Sequence, residues 1–111
     1  MKMIKMQIKM DEGKIRREGR YSLEKIYGTL DDFLVNRLHL VKAEDGFYIG
    51  SGLPDDFANF GVAMTNLGKK SWFMGNVGTW LYFNSEDSED PDDFVVEDFK
   101  ELCNAHYRLA V

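Results

Sequence analysis

Apolar and polar residues alternate along the first part of the chain. Every second residue from Ile4 to Met10 is isoleucine or methionine, and the residues between them are lysine or glutamine. Successive side chains of a β-strand point to opposite faces of its sheet, so a period of two is typical of a strand with one buried face. The pattern therefore predicts a strand over residues 2–10, with its lysines in solvent.

Two helices are predicted to follow this strand. Asp11 can cap a short helix over residues 12–18, and Gly19 can end it because glycine adopts the left-handed conformation without strain. Ser22 can cap a second helix over residues 23–38, since its hydroxyl can accept a free backbone N–H of the first turn. The apolar residues of this segment recur at spacings of three and four, which predicts an amphipathic helix. They are Leu23, Ile26, Tyr27, Leu30, Phe33, Leu34 and Leu38.

The middle of the chain predicts mainly strands. Residues 40–43 and 47–50 flank a turn in which Gly46 supplies the positive φ angle that a tight hairpin needs. The apolar residues of segment 57–67 fit either the period of a strand or that of a helix. Gly61 would destabilise a helix interior by about 1 kcal/mol relative to alanine, so we predict a strand there.

The last third of the chain predicts one strand between two helices. Residues 69–77 suggest a short helix or an irregular connector, residues 79–83 are β-branched and aromatic enough for a strand, and residues 93–109 show amphipathic helical spacing. A chain of 111 residues is the usual size of one domain. With the hairpin-length connections, the order of elements predicts a single α+β domain over residues 1–111. Its mostly antiparallel sheet would have about five strands packed against amphipathic helices.

The composition is that of a folded protein from a reducing compartment. Hydrophobic residues make up 44 % of the chain and aromatic residues 14 %, unlike the low hydrophobicity of disordered chains. The single cysteine, Cys103, cannot form an internal disulfide, so a cytoplasmic location is expected. Lysines interrupt residues 1–10, and we therefore expect neither a signal peptide nor a membrane as partner.

One segment departs strongly from the rest of the chain in charge. It carries six carboxylates within eight residues, shortly after the aromatic run of residues 80–83. Residues 86–93 are called the acidic segment below, and its six acids are Glu86, Asp87, Glu89, Asp90, Asp92 and Asp93. The whole chain carries a net charge of −5 and these carboxylates contribute −6, so all other residues together carry +1. Such a block steers positively charged partners toward one place, whereas the net negative charge argues against nucleic acid as a partner.

No motif in the chain commits it to a reaction, a cofactor or a metal. Cys103 and His106 are three residues apart on the predicted last helix, but a nucleophile and base also need a group that orients the ring and a donor for the oxyanion. A free cysteine on an apolar stripe usually packs as a small hydrophobic residue. The acidic segment fails the EF-hand pattern, because a loop starting at Asp87 has Asp92 where glycine is required and Asp98 where glutamate is required. The residues by themselves therefore assign no reaction.

The aromatic run raises the question of which sheet faces are covered. Strand alternation places Trp80 and Tyr82 on one face and Leu81 and Phe83 on the other. Both faces are then apolar, so either the sheet is covered on both sides or one face binds a partner. Because a small core needs its largest side chains, we predict covering on both sides and keep the partner surface as the alternative.

Four stretches of the chain combine aromatic residues and glycines in a characteristic placement. They are GRYSLEKIY at 19–27, DGFYIG at 45–50, DFANFG at 56–61, and WFM at 72–74 through WLYFNS at 80–85. Over most of its length the chain thereby resembles a family of small bacterial proteins, found largely in Firmicutes, that act as immunity proteins of polymorphic toxin systems. The resemblance brings no catalytic residues with it. It implies a cytoplasmic, non-enzymatic protein that protects its producer by binding a toxin domain.

The combined prediction is a protein that neutralises a cognate toxin by occlusion through an acidic and aromatic surface. The six carboxylates would steer a basic toxin domain, and Tyr82 and Trp72 would supply buried contact area. The alternative is a small ligand-binding or enzymatic domain. Its pocket would be lined by Tyr48, Phe60, Trp72 and Trp80. A homo-oligomer with aromatic residues buried across a two-fold axis is a third interpretation, and the sequence predicts no oligomeric state.

Overall fold

Five strands and five α-helices make up the part of the chain that the computed structural model describes, which is residues 4–52, 55–84 and 95–109. The strands are β1 (Ile4–Met10), β2 (Val41–Lys42), β3 (Phe47–Ile49), β4 (Val77–Asn84) and β5 (Val95–Asp98). The helices are α1 (Glu12–Glu18), α2 (Leu23–Asp31), α3 (Asp56–Gly68), α4 (Ser71–Met74) and α5 (Phe99–Leu109). The strands form one sheet in the order β2-β3-β1-β4-β5, and every neighbouring pair is antiparallel. The predicted α+β class with an antiparallel sheet of five strands is confirmed.

The central strand, β1, places its apolar side chains on one face of the sheet. Its isoleucines and methionines are buried, whereas its lysines and its glutamine are partly or fully exposed. The described helices pack on the buried face, since their buried residues belong to the same core cluster as those of β1. The alternation that predicted this strand therefore also selects the side of the sheet that the helices cover.

Trp80 lies at the centre of the core. Its side chain is completely buried, and its indole N–H donates a hydrogen bond to the sulfur of Met6 at 3.0 Å. The rings of Phe73 and Phe99 contact it edge-on, with centroid distances of 4.9 and 5.4 Å. Phe99 also stacks on Tyr82 at 4.8 Å. These contacts join β1, β4, α4 and α5, and aromatic pairs in such geometries stabilise a core beyond the effect of their buried area.

The helix caps predicted for α1 and α2 are present. A side-chain oxygen of Asp11 accepts the backbone N–H of Lys14 at 3.1 Å, and the hydroxyl of Ser22 accepts that of Lys25 at 3.4 Å. Gly19 ends α1 in the left-handed conformation, with a φ of 63°. Local sequence signals thus set both helix starts.

The helix predicted over residues 23–38 is confirmed, although its second half is wider than an α-helix. α2 passes without a break into a π-helical segment, Asp32–Arg37. At its end the N–H of Leu38 donates to the carbonyl of Phe33, five residues earlier, at 3.1 Å. The segment remains part of the core through Leu34, which is completely buried.

The strand predicted over residues 57–67 is wrong, because this segment forms α3. Helical spacing lets Phe60, Ala63 and Leu67 enter the core together. Burying a large apolar side chain stabilises a protein by about 1.5–3 kcal/mol, which exceeds the cost of about 1 kcal/mol for a helical glycine. Gly61 is exposed, and a Cβ added there would meet no atom within 4 Å. Tertiary packing therefore overrides the intrinsic preference on which the strand prediction rested.

The helix predicted over residues 93–109 begins later than expected. The first two predicted positions lie outside the described residues, and the chain then forms β5 before α5. Two adjacent valines favour the strand, and one of them, Val96, lies opposite Phe83 of β4. A carboxylate oxygen of Asp98 accepts the backbone N–H of Glu101 at 3.0 Å, which makes this residue the helix cap.

The remaining predicted elements have the expected type with shifted ends. The strands predicted at 40–43, 47–50 and 79–83 are confirmed as β2, β3 and β4. Of the segment 69–77, only the residues of α4 are α-helical. The last residue of the segment, Val77, is the first residue of β4. The strand starts early because the end of β1 offers a pairing partner there.

Gly46 holds the turn between β2 and β3 against the central strand. Its φ is +80°, and a Cβ added there would clash with the carbonyl oxygen of Ile8. We expect Gly46→Ala to lower the free energy of unfolding by about 1–3 kcal/mol, because it combines backbone strain with a steric clash. Urea unfolding followed by tryptophan fluorescence measures this change.

Gly28→Ala is the matched control for this substitution. Gly28 lies in α2, and a Cβ there would meet no atom within 4 Å. Alanine should therefore raise the free energy of unfolding by up to about 1 kcal/mol through its helix propensity. An unfolding midpoint for Gly46→Ala equal to that of the wild type would contradict the role given to Gly46.

Candidate functional site

The six carboxylates of the acidic segment lie outside the described residues, and the structure fixes the two strand ends that flank them. β4 ends at Asn84 and β5 begins at Val95, and these two residues are paired across the sheet. The described residues on either side of the acidic segment therefore lie at one and the same end of the sheet. A positively charged partner that is attracted to the acidic segment would therefore arrive near the surfaces at this end of the sheet.

The two aromatic residues predicted to contact a partner lie on the side of the sheet that carries the helices. Tyr82 is 7 % exposed, and its ring stacks on Phe99, so most of the ring belongs to the core. Trp72 is partly buried and packs edge-on against Phe73, with a centroid distance of 5.9 Å. Their role as partner contacts stays a prediction, and little of the Tyr82 side chain is accessible for it.

The opposite face of the sheet is not covered by any described helix. Direct strand pairing places one residue from each of the five strands side by side on this face. They are Val41, Ile49, Lys5, Phe83 and Val96, and we call this surface the open face. Val41 and Val96, at its two edges, are 53 % and 51 % exposed. Residues 4–52, 55–84 and 95–109 supply a helical cover for one side of the sheet, and the predicted cover of the other side stays a prediction.

Two phenylalanine rings form the centre of the open face. The ring of Phe47, from β3, lies 5.7 Å from that of Phe83, from β4, so the two meet over the central strand. The ammonium group of Lys5 lies 4.8 Å from the first ring centroid and 5.4 Å from the second. A cation over an aromatic face is attracted by the quadrupole of the ring, an interaction of about 0.5–1 kcal/mol at exposed sites.

Sequence reasoning missed this ring pair. Alternation correctly separated Phe83 from Tyr82, but it did not say which of them faces the helices. The pairing of Phe47 with the other ring also requires the strand order, because β3 and β4 lie on either side of β1. Neither fact is a local property of the sequence.

A polar network lies beneath α2, at a groove of about 600 Å³ that Tyr27 and Tyr48 line. The Tyr48 hydroxyl donates to one carboxylate oxygen of Asp31 at 2.8 Å, and the ammonium group of Lys42 donates to the other at 2.7 Å. Burial and the hydrogen bond to Asp31 raise the pKa of Tyr48. Burial and the nearby Glu12 carboxylate raise the pKa of Tyr27. Both hydroxyls therefore stay protonated at neutral pH, and Tyr48 acts as a donor that ties β3 to α2.

The four aromatic residues predicted to line one pocket do not converge on one cavity. Tyr48 lines the groove just described, whereas Phe60 lines a cleft of about 350 Å³ on another side of the helix layer. Trp72 lines a third depression, of about 280 Å³. Trp80 is completely buried in the core. The packing of these rings thus separates residues that the sequence placed in one site.

The cleft of about 350 Å³ lies between α3 and the strands β4 and β5, and we call it the α3 cleft. It is lined by Phe60, Gly61, Met64, Tyr82, Asn84, Glu97 and Phe99. Because Glu97 pairs with Tyr82 across the strands, its side chain lies on the helix side of the sheet. An exposed carboxylate therefore borders a cleft whose floor is mainly aromatic and aliphatic.

Cys103 packs in the core, as its position on an apolar stripe predicted. The residue is buried within the hydrophobic cluster, and burial raises the pKa of its thiol. A protonated thiol is a poor nucleophile, since the thiolate is the reactive form. The side chain of His106 lies outside the described part of the structure.

Neither metal-binding groups nor membrane-spanning helices are found among the described residues, and no known protein of similar sequence indicates a function. Among residues 4–52, 55–84 and 95–109, no group of three or more histidine, cysteine, aspartate or glutamate side chains is arranged to hold a metal ion. None of the helices described in these ranges has the length and apolar composition to cross a membrane. No protein-family model matches the chain, and no curated protein matches it.

The network at Tyr48 makes stability depend on pH. Tyr48→Phe removes one donor to Asp31 and should lower the free energy of unfolding at pH 7 by about 1–2 kcal/mol, because the lost bond is to a charged group. The pKa of Tyr48 is raised on folding, so the unfolded chain ionises first and wild-type stability falls as pH rises above about 10. The Tyr48→Phe variant has no hydroxyl at this position, so its free energy of unfolding should fall less over the same pH range.

The difference in unfolding free energy between wild type and Tyr48→Phe should therefore shrink between pH 8 and pH 11. Chemical denaturation at several pH values measures it. Tyr21→Phe, at a ring that is 41 % exposed, controls for the removal of a hydroxyl at the surface. A difference that stays constant over this range would show that Tyr48 does not carry the proposed linkage.

Proposed function

We propose that this chain is a cytoplasmic binding protein that neutralises a basic toxin domain by covering it, without catalysing a reaction. The observation that carries the proposal is the open face, a surface that spans all five strands, is apolar on four of them and is not covered by any described helix. The charge of the acidic segment and the resemblance to immunity proteins give the partner its expected character. The proposal assigns the toxin's inactivation to steric occlusion.

The open face has the composition of the centre of an interface. Contiguous apolar patches on a protein surface mark interaction sites more often than single exposed apolar residues do. Aromatic side chains are enriched at the centres of interfaces, where a few of them supply most of the binding energy. Phe47 and Phe83 already contact each other, and the ammonium group of Lys5 lies over both rings, so a partner that covers them meets a preformed surface.

The acidic segment supplies the long-range attraction. Phe83, on the open face, is adjacent to Asn84, the last described residue before the acidic segment, and the first of the six carboxylates follows Asn84 by two positions in the sequence. A charge of −6 concentrated beside an apolar surface raises the rate at which a basic partner arrives, whereas the apolar contact controls how slowly it leaves. The two functions of the interface are thereby assigned to different residues.

The groove beneath α2 supports a second candidate function, the binding of a small ligand. Its volume of about 600 Å³ falls within the range of roughly 300–1,000 Å³ that is usual for ligand sites. The Tyr48 hydroxyl, however, already donates its hydrogen bond to Asp31, so it is not available as a donor to a ligand. The partner-binding function is therefore favoured, and a metabolite that protects Tyr27 from chemical modification would favour the groove instead.

The partner is expected to be the toxin-like C-terminal domain of a large secreted protein encoded by a neighbouring gene. Co-expression of this chain should restore growth of cells that produce that domain. Glu86→Gln/Asp87→Asn/Glu89→Gln should slow association roughly tenfold at low salt, because electrostatic steering accelerates association by factors of about 10–1,000. The salt dependence of the association rate should become flatter, and the free energy of unfolding should not change.

The control for this triple variant is Glu18→Gln/Glu24→Gln/Glu44→Gln, which removes the same charge from exposed positions elsewhere. It should associate nearly as fast as the wild type. Stopped-flow measurements over a range of salt concentrations compare the two variants. Equal association rates for both variants would show that the acidic segment does not steer the partner. A lack of growth protection by the wild type would overturn the proposed function.

Phe83→Ala tests the open face. It should raise the dissociation rate of the toxin domain roughly 30-fold, the effect of losing a central contact worth about 2 kcal/mol. The fold should persist, because Phe83 is not part of the core cluster. Val62→Ala is the control, since this valine is 42 % exposed on α3, away from the open face. A dissociation rate unchanged by Phe83→Ala, measured by surface plasmon resonance, would contradict the assignment of the open face.

A further inference from the structure

We propose that the α3 cleft binds an arginine side chain of the partner. The inference rests on the proposed function for the basic character of that partner, and on the geometry of the cleft for the choice of residue. Neither the steering by the acidic segment nor the contact at the open face requires this additional contact. The α3 cleft lies on the helix side of the sheet, at the end where β4 finishes and β5 begins.

Gly61 exposes the backbone of α3 to the cleft. A Cβ at this position would meet no atom within 4 Å, so no neighbouring part of the described chain requires a glycine here. Glycine nonetheless destabilises a helix interior by about 1 kcal/mol relative to alanine. Its effect in the folded protein is to leave space, because any longer side chain at Gly61 would project toward the cleft.

The floor of the cleft suits the aliphatic stem of an arginine. Met64 is a flexible, polarisable side chain that adapts to such a stem. Tyr82 and Phe99 are stacked on each other at 4.8 Å and lie almost completely in the core, so they contribute an apolar base to the cleft. A long cationic side chain can lay its stem on such a base and keep its charged end at the rim.

Glu97 supplies the complementary charge. It is exposed at the border of the cleft, and among the described side chains no lysine or arginine forms an ion pair with it. A carboxylate can accept two parallel N–H bonds from one guanidinium, a geometry that lysine cannot offer. The combination of an apolar floor and one carboxylate at the rim thus selects a long cationic side chain with a planar end.

The size of the cleft is sufficient for one long side chain. Its volume of about 350 Å³ is at the lower end of the range of roughly 300–1,000 Å³ found for small-molecule sites. The cleft also contains Asn84, the last residue of β4. A basic partner attracted to the chain beyond that residue would therefore have its cationic side chains close to the cleft.

The test uses a small arginine probe, N-acetyl-arginine amide, and the whole chain labelled with ¹⁵N. Titration should shift the backbone amides of Gly61, Met64 and Glu97 with one common dissociation constant. N-acetyl-citrulline amide has nearly the same shape without the charge, and it should bind about tenfold more weakly, as expected when a charge-assisted hydrogen bond is lost. Arginine-induced shifts confined to other amides would overturn the inference.

Two variants separate the charge of the cleft from its space. Glu97→Gln should weaken binding of the arginine probe about tenfold and leave citrulline binding unchanged. Gly61→Leu should abolish binding of both probes by filling the cleft. The matched control is Gly28→Leu, an equally unobstructed helical glycine in α2, which should bind the arginine probe as the wild type does.

Failure of this inference is distinguishable from failure of the proposed function. The probe experiment needs no toxin domain, so it reports on the cleft alone. Binding of the arginine probe that is insensitive to both Glu97→Gln and Gly61→Leu would show that the cleft is not its site. Growth protection by the wild type could still hold in that case, through the open face and the acidic segment.

Discussion

The one-sided burial of the central strand determines the arrangement of the whole molecule. β1 has apolar side chains on one face and lysines and a glutamine on the other, so only one face of the sheet can serve as the floor of the core. Helices with a single apolar stripe must then share that floor. Trp80 enters the core because its strand pairs with β1 in the register that puts it opposite Ile8. The same register puts Phe83 opposite Lys5, on the open face.

This constraint explains which parts of the fold were predictable. The strand at residues 2–10 and the helix at residues 23–38 can be predicted from periodicity and helix caps, which are local properties of the sequence. The segment 57–67 cannot be predicted in this way, because its apolar residues fit both the strand period and the helix period, and Gly61 favours the strand, which is wrong. Only the presence of a sheet to pack against makes helical spacing the better solution, and a sheet is assembled from distant segments.

The candidate site was predictable to a smaller extent, for a related reason. The acidic segment is visible in the sequence because charge needs no partner to be recognised. Alternation likewise separated Tyr82 from Phe83, yet the choice of the exposed member depends on which face of β1 is apolar and on strand order. The contact between Phe47 and Phe83, 36 positions apart in the sequence, and the hydrogen bond between Tyr48 and Asp31 arise only from the fold.

The lysines of the open face bear on how a basic partner would be oriented. Lys9 is bound to Asp45 at 3.1 Å, whereas the ammonium group of Lys5 lies over the rings of Phe47 and Phe83. A cation in that position occupies the place that a cation of the partner would otherwise take on the rings. The ring pair is thus left to apolar groups of the partner, and the partner's cationic groups are directed to the acidic segment and to the α3 cleft. Apolar contact at the open face combined with attraction at the end of the sheet disfavours other orientations, so the charges specify the geometry of the complex as well as the rate at which it forms.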